Sequence, residues 1–103
     1  MSQGHNVRFR PSARRDLLAV HDFIASASGH GVARGYLDRI EQACNALADF
    51  PERGTLRPDL GPGLRLLGFE RRATIIFRIW KDEVQIVRVL YGGRDIEAVL
   101  RAP

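Results

Sequence analysis

The hydrophobic period changes once along this chain, and that change limits the fold more than any other feature. Through the first half, apolar residues recur at helical spacing. Ala13, Leu17, Val20 and Ile24 fall four, three and four apart, and Ala33, Leu37, Ile40, Cys44 and Leu47 repeat the pattern, with Tyr36 and Ala43 widening the stripe. From "RRATIIFRIW" onward the period is two. Ala73, Ile75, Phe77 and Ile79 share one face of a strand, and Thr74, Ile76, Arg78 and Trp80 share the other. Apolar residues on both faces predict a strand that is at least partly covered on each side.

The punctuation between these runs gives the order of elements. "VRF" at residues 7–9 reads as a short strand closed by Pro11, and Ser12 is expected to N-cap the first helix. "SASGHG" at residues 26–31 ends that helix. The second is expected from Val32 to about Phe50, where Pro51 stops it. So short a connection predicts an antiparallel helical hairpin. "PERGTLRPDLGPG", residues 51–63, reads as a surface loop. "LRLL" is a short strand candidate, and "KDE" turns the strong strand back into "VQIVRVLY". In "YGGRD" the two glycines let the chain leave the strand sharply, and Asp95 can N-cap a last helix, "IEAVLR", with Ile96, Val99 and Leu100 against the sheet. No phosphate-cradle spacing surrounds those glycines. The predicted class is α+β: an N-terminal strand, a helical hairpin, then a mostly antiparallel meander of three strands and a short C-terminal helix, in one domain over residues 1–103.

Charge narrows the partners. Lys and Arg number 16 against 12 Asp and Glu, and Lys81 is the only lysine. Arginine forks suit carboxylates and phosphates, so an anionic partner is expected, either nucleic acid or an acidic protein segment. Arg65, Arg72, Arg78 and Arg88 all fall on the predicted strands, with Tyr91 at the end of the last. Convergence on one face would let them hold an RNA phosphate, whereas otherwise they are solvated charges flanking strands. His5, His21 and His30 are scattered, and the single cysteine, Cys44, reads as a small buried hydrophobe, so no metal or cofactor is expected. No apolar run approaches the length of a membrane span and the opening "MSQGHN" is polar, so a cytoplasmic location is expected.

Three stretches carry a family resemblance when taken in register. "VRFRPSARRDLLAVHDFI" has an opening strand and an Ala-x-x-Asp-Leu helix through Ala13, Asp16 and Leu17. "LADFPERGTLRPDLGPGLR" places Pro51, Gly54, Arg57, Asp59, Leu60, Gly63, Leu64 and Arg65 in a recognisable order. "FRIWKDEVQIVRVLYGGRD" has the aromatic-Arg strand, the hairpin and an Arg-Val-Leu-x-Gly-x-x-Asp-like ending. Over about Val7 to Leu100 the chain resembles the ParE branch of the RelE/ParE toxins of bacterial type II toxin–antitoxin systems.

That resemblance implies a toxin that inhibits DNA gyrase without performing a reaction. It also implies a ParD-like cognate antitoxin that neutralises the toxin by direct binding in a hetero-oligomer. The RelE branch supplies the alternative, ribosome-dependent cleavage of messenger RNA, for which Arg65, Arg72, Arg88 and Tyr91 are the candidate catalytic residues. Tyr91 stands where many ParE members have histidine. The resemblance further implies antitoxin contacts at Arg57, Arg65, Arg72, Arg78, Leu17 and Tyr36, and target contacts in the C-terminal segment at Arg94, Asp95 and Arg101. A plain nucleic-acid-binding module, with salt-sensitive affinity and no growth arrest, is the remaining class.

Overall fold

A computed structural model of the chain describes residues 5–93 and 95–101. The elements are β1 (Asn6–Phe9), α1 (Pro11–Ser28), α2 (His30–Ala46), β2 (Thr55–Leu56), β3 (Arg65–Phe69), β4 (Ala73–Trp80), β5 (Glu83–Tyr91) and α3 (Ile96–Arg101). The expected α+β architecture is present, with strands β3, β4 and β5 as the antiparallel meander. Two further strands extend it to a five-stranded sheet of order β1-β5-β4-β3-β2. β1 joins β5 in parallel, and β2, hidden inside the expected loop, pairs with β3 through Thr55 and Leu56.

Helix α1 starts two residues earlier than a Ser12 cap requires, at Pro11 with Arg10 in the cap position. Pro11 occupies the first turn, where its fixed φ suits a helix and its missing N–H is not needed. Ser12 instead donates its hydroxyl to the Val87 carbonyl at 2.7 Å. The connection between helices shrinks to Gly29, whose φ of 97° lies where glycine is favoured. Its amide donates to the Ala25 carbonyl and its carbonyl accepts from the Ala33 amide, so one residue closes α1 and opens α2. α2 therefore begins at His30 rather than Val32. It ends at Ala46, four residues short of Phe50, with backbone turns over Leu47–Asp49.

The hairpin buries its stripe against one sheet face. Ala13, Leu17, Val20 and Ile24 of α1 and Ala33, Tyr36, Leu37, Ile40 and Cys44 of α2 meet Ile75, Phe77, Val84, Ile86 and Val89 in the main core. The opposite face has a smaller cluster, Leu64, Ile76 and Leu90, over which Ile96, Val99 and Leu100 of α3 pack. Both faces of β4 are thus partly covered, as its two apolar sides predict. Asp95 caps α3 as expected, accepting the Ala98 amide at 3.2 Å. Gly92 turns the chain with φ of 79° and donates its amide to the Arg72 carbonyl at 2.7 Å.

β5 contains an extra residue. Ile76 opposes Arg88 and Phe77 opposes Ile86, which leaves Val87 as a bulge. The bulge moves the inward positions of β5 from Val84 and Ile86 to Val89, and Val87 packs with the outer cluster. Beyond the end of β1, α1 side chains serve the exposed edge of β5. Ser12 takes the Val87 carbonyl, and Asp16 accepts the Val89 amide at 2.8 Å.

Candidate functional site

The arginines expected on the strands do not converge. Arg88 donates Nε and Nη2 to the two Asp16 carboxylate oxygens at 2.7 and 2.9 Å, in a pair buried between α1 and β5. Those hydrogen bonds hold the Arg88 guanidinium above its ordinary pKa. Arg78 lies on the outer face and donates to Gln85 at 2.9 Å, and Gln85 in turn donates to Glu83. Arg57 forms a bidentate pair with Asp59, two residues on, and Arg65 reaches the Glu52 carbonyl at 3.2 Å. Of the four residues considered for RNA cleavage, only Arg72 and Tyr91 line a common cavity.

That cavity is a cleft of about 610 Å³ at the corner of the helical hairpin. α1 contributes Phe23, Ile24, Ala27 and Ser28. α2 contributes Gly31, Val32, Gly35, Tyr36 and Arg39. Glu70 and Arg72 come from the β3–β4 turn, and Tyr91 from the end of β5. The walls are aromatic. The Tyr36 ring packs edge-on against Phe69 and Tyr91, both at 5.6 Å between centroids, and Phe23 lies 5.8 Å from Tyr91. Phe23 and Val32 of the lining are 63% and 57% exposed, so the cleft presents apolar surface to solvent.

Two polar features complete the cleft. Arg39 lies over the Tyr36 ring and makes two hydrogen bonds, 2.8 and 3.0 Å, to the Glu70 carboxylate, tying α2 to the β3–β4 turn. The hydrogen bond raises the Arg39 pKa and lowers that of Glu70. The second is Tyr36, 5% exposed, whose hydroxyl is buried and has no hydrogen-bond partner among the described residues. Burial pushes its pKa to about 12, with the nearby Tyr91 adding to the rise, so the phenol stays a neutral donor at any working pH.

The remaining candidates lie elsewhere. Leu17 is buried in the hairpin, where it forms part of the floor of a second groove with Arg14, Leu18, His21, Arg34, Leu37 and Glu41. Asp95 is spent on capping α3, and Arg101, exposed, makes an i,i+4 pair with Glu97 at 3.6 Å. Arg94 lies outside the described residues. His21 is half-buried and meets His30 edge-on at 4.9 Å. Among the described residues no three His, Cys, Asp or Glu side chains come together, and no helix is long and apolar enough to cross a membrane. Cys44 is buried, and desolvation raises its thiol pKa to about 12, which leaves it unreactive.

The family model of the ParE toxin of type II toxin–antitoxin systems, parDE, matches residues 7–96. The chain belongs to the ParE toxin family. A curated relative, Toxin ParE3 of Caulobacter vibrioides, is 34% identical over 97 residues, covering 94% of this chain and 95% of its own. Among solved structures, a chain of the chromosomal ParDE toxin–antitoxin system from P. aeruginosa superposes with a TM-score of 0.76 at 27% identity, over 88% of this chain and 99% of that one. A chain of the toxin–antitoxin complex RelBE2 from Mycobacterium tuberculosis gives 0.60 at 26% identity, over 88% and 94%. The family match ends at Ile96, the first residue of α3.

The partners of three residues escaped sequence reasoning. Asp16 falls on the inward face of α1, three after Ala13 and four before Val20, and a carboxylate on an apolar stripe was the signal that it is partnered inside. Arg39 and Glu70 are 31 positions apart, and nothing local in either segment announces their pairing.

Proposed function

We propose that this chain is a gyrase-poisoning toxin, not an enzyme, held inactive in the cytoplasm by a cognate antitoxin in a toxin–antitoxin hetero-oligomer. The observation that carries the non-enzymatic part is the Asp16–Arg88 pair. It removes Arg88 from any RNA-directed role, while Arg65 sits at the far edge of the sheet beside β2. The carboxylate that lines the cleft with Arg72 and Tyr91 is Glu70, and two hydrogen bonds from Arg39 hold it ionised with a lowered pKa, which makes it a weak base for a 2′-hydroxyl. ParE family membership supports gyrase as the target, and the exposed part of α3 with Arg101 is the surface assigned to it. Both structural neighbours come from toxin–antitoxin systems, which supports the antitoxin. Its contact surface runs over the hairpin, from the groove floored by Leu17 to the cleft of Tyr36 and Arg72, with Arg57, Arg65 and Arg78 as outlying contacts.

The test is expression without antitoxin, followed by a supercoiling and cleavage assay with purified gyrase. Growth arrest with trapped cleaved DNA is the expected result. Arrest with gyrase unaffected and messenger RNA cut on the ribosome would replace this reading by the RelE-type one, and Arg72 and Tyr91 would be the residues to mutate.

A further inference from the structure

The unpartnered Tyr36 hydroxyl calls for an explanation. A buried hydroxyl with no hydrogen bond has lost its water and gained nothing in return, and native structures hold few such groups. It belongs to a ring that lines a cleft with exposed apolar side chains at the mouth. The two guanidiniums of that cleft differ. Arg39 is saturated by Glu70, whereas Arg72 forms no ion pair among the described residues. The cleft therefore offers one uncommitted cation and one uncommitted donor, beside an apolar surface made by Phe23 and Val32.

We propose that this cleft binds a single carboxylate side chain of the antitoxin, with the carboxylate on Arg72 and the Tyr36 hydroxyl and a neighbouring apolar residue of the same segment against Phe23 and Val32. This rests on the antitoxin reading above and names the chemistry that the cleft selects. A carboxylate suits it better than a phosphate. Glu70 stands beside Arg72, and its charge acts against a second negative charge on the ligand, while one guanidinium and one hydroxyl match the two oxygens of a carboxylate. The raised pKa of Tyr36 keeps its proton available for donation. The hydroxyl is shut off from solvent in the unbound chain, so binding requires the cleft lining to part. Phe23 and Val32, mostly exposed, are lining side chains with little packing to lose.

The probe is a pair of short peptides, acetyl-Leu-Asp-Leu-amide and its Asn counterpart, titrated into the isotope-labelled full chain and followed by amide chemical shifts. The Asp peptide is expected to bind with a Kd on the order of millimolar, shifting Gly31, Gly35, Tyr36 and Arg72, and the Asn peptide about tenfold more weakly. Tyr36→Phe and Arg72→Gln should each weaken the Asp peptide by about five- to tenfold and the Asn peptide, whose amide oxygen is a weaker, uncharged acceptor, by less. Thermal melting of both variants confirms that they fold, and Tyr36→Phe should melt no lower than the parent. Equal affinity for the two peptides, indifference to both substitutions, shifts confined to other surfaces, or no shift at about 20 mM peptide would each overturn the proposal. The outcome is separable from the toxin reading. A chain that arrests growth, forms an antitoxin complex and treats both peptides alike loses only the carboxylate site, whereas a chain that joins no antitoxin and arrests no cells loses the larger reading.

Discussion

Two arginine–carboxylate pairs fasten helix to sheet in this protein, and they differ in what surrounds them. Asp16 and Arg88 join α1 to β5 inside the molecule. Asp16 accepts two guanidinium hydrogen bonds and one backbone amide, and its neighbour Ser12 satisfies the carbonyl of the bulged Val87. Arg39 and Glu70 join α2 to the β3–β4 turn at the surface, with the Tyr36 ring beside them carrying a hydroxyl that no described residue satisfies. The first region is closed and the second is incomplete. A saturated polar network holds a scaffold in one arrangement, whereas an unsaturated one beside a cavity keeps capacity for a partner. The same pair of residue types therefore marks structure in one place and recognition in the other.

Breaking the closed region should have the largest effect. Asp16→Ala leaves Arg88 charged and half-buried and the Val89 amide without an acceptor, and is expected to cost about 3 kcal/mol of stability. In thermal melting that corresponds to a fall of more than about 10 °C for a domain of this size. A loss under about 1 kcal/mol would mean that the pair is not what holds α1 on β5 and would dissolve the comparison.

The incomplete region makes the opposite prediction. Tyr36→Phe removes a buried hydroxyl that has no partner, so stability at neutral pH is expected to rise by about 1 kcal/mol, read by denaturant midpoint. Alkaline titration sharpens the point. The folded pKa of about 12 exceeds the ordinary 10.0, so the folded chain holds its proton more tightly than the unfolded one. That contribution is complete below pH 10.0 and is lost as pH rises towards about 12. The Phe variant lacks this loss and should lead the parent by a widening margin over that range. Cys44 acts in the same direction from 9.0, but equally in both proteins. A margin that stays constant would show that the folded chain does not raise the Tyr36 pKa, so that its hydroxyl is open to water in solution.

The contrast between the regions also explains what was legible in the sequence. Every helix and the three long strands were visible, because each depends on a local period that neighbouring residues carry. Ala13, Leu17, Val20 and Ile24 state the buried face of α1 without reference to anything else, and Asp95 states the cap of α3. Features that depend on distant partners were not visible. Ser12 has the right chemistry for a cap, but Pro11 started the helix first and the Val87 carbonyl, 75 positions away, claimed the hydroxyl. β2 is only two residues long and exists because β3 offers it an edge. The bulge at Val87 interrupts the alternation of "VQIVRVLY" without any mark in its composition, and only the register against β4 reveals it. The cleft itself is assembled from α1, α2, the β3–β4 turn and β5, so naming Tyr36, Arg72 and Tyr91 individually could not show that they meet.

The smallest expected effect tests whether the surface pair of the incomplete region is a fastening at all. Hydrogen bonding to Arg39 lowers the Glu70 pKa below its ordinary 4.5, so the folded chain favours the ionised carboxylate. Such a contribution is present above pH 4.5 and lost as pH falls through the lower folded value, the reverse of the Tyr36 case. Arg39→Gln should lower the melting temperature slightly at neutral pH and low salt. The difference should shrink at about 0.5 M salt, because both partners are solvent-accessible and their attraction is screened. It should also vanish at a pH low enough to protonate Glu70 in the folded parent. A difference that persisted under both conditions would arise from lost packing of the Arg39 stem on the Tyr36 ring. In that case the roof of the cleft is apolar contact and not charge, and the two regions differ in kind as well as in completeness.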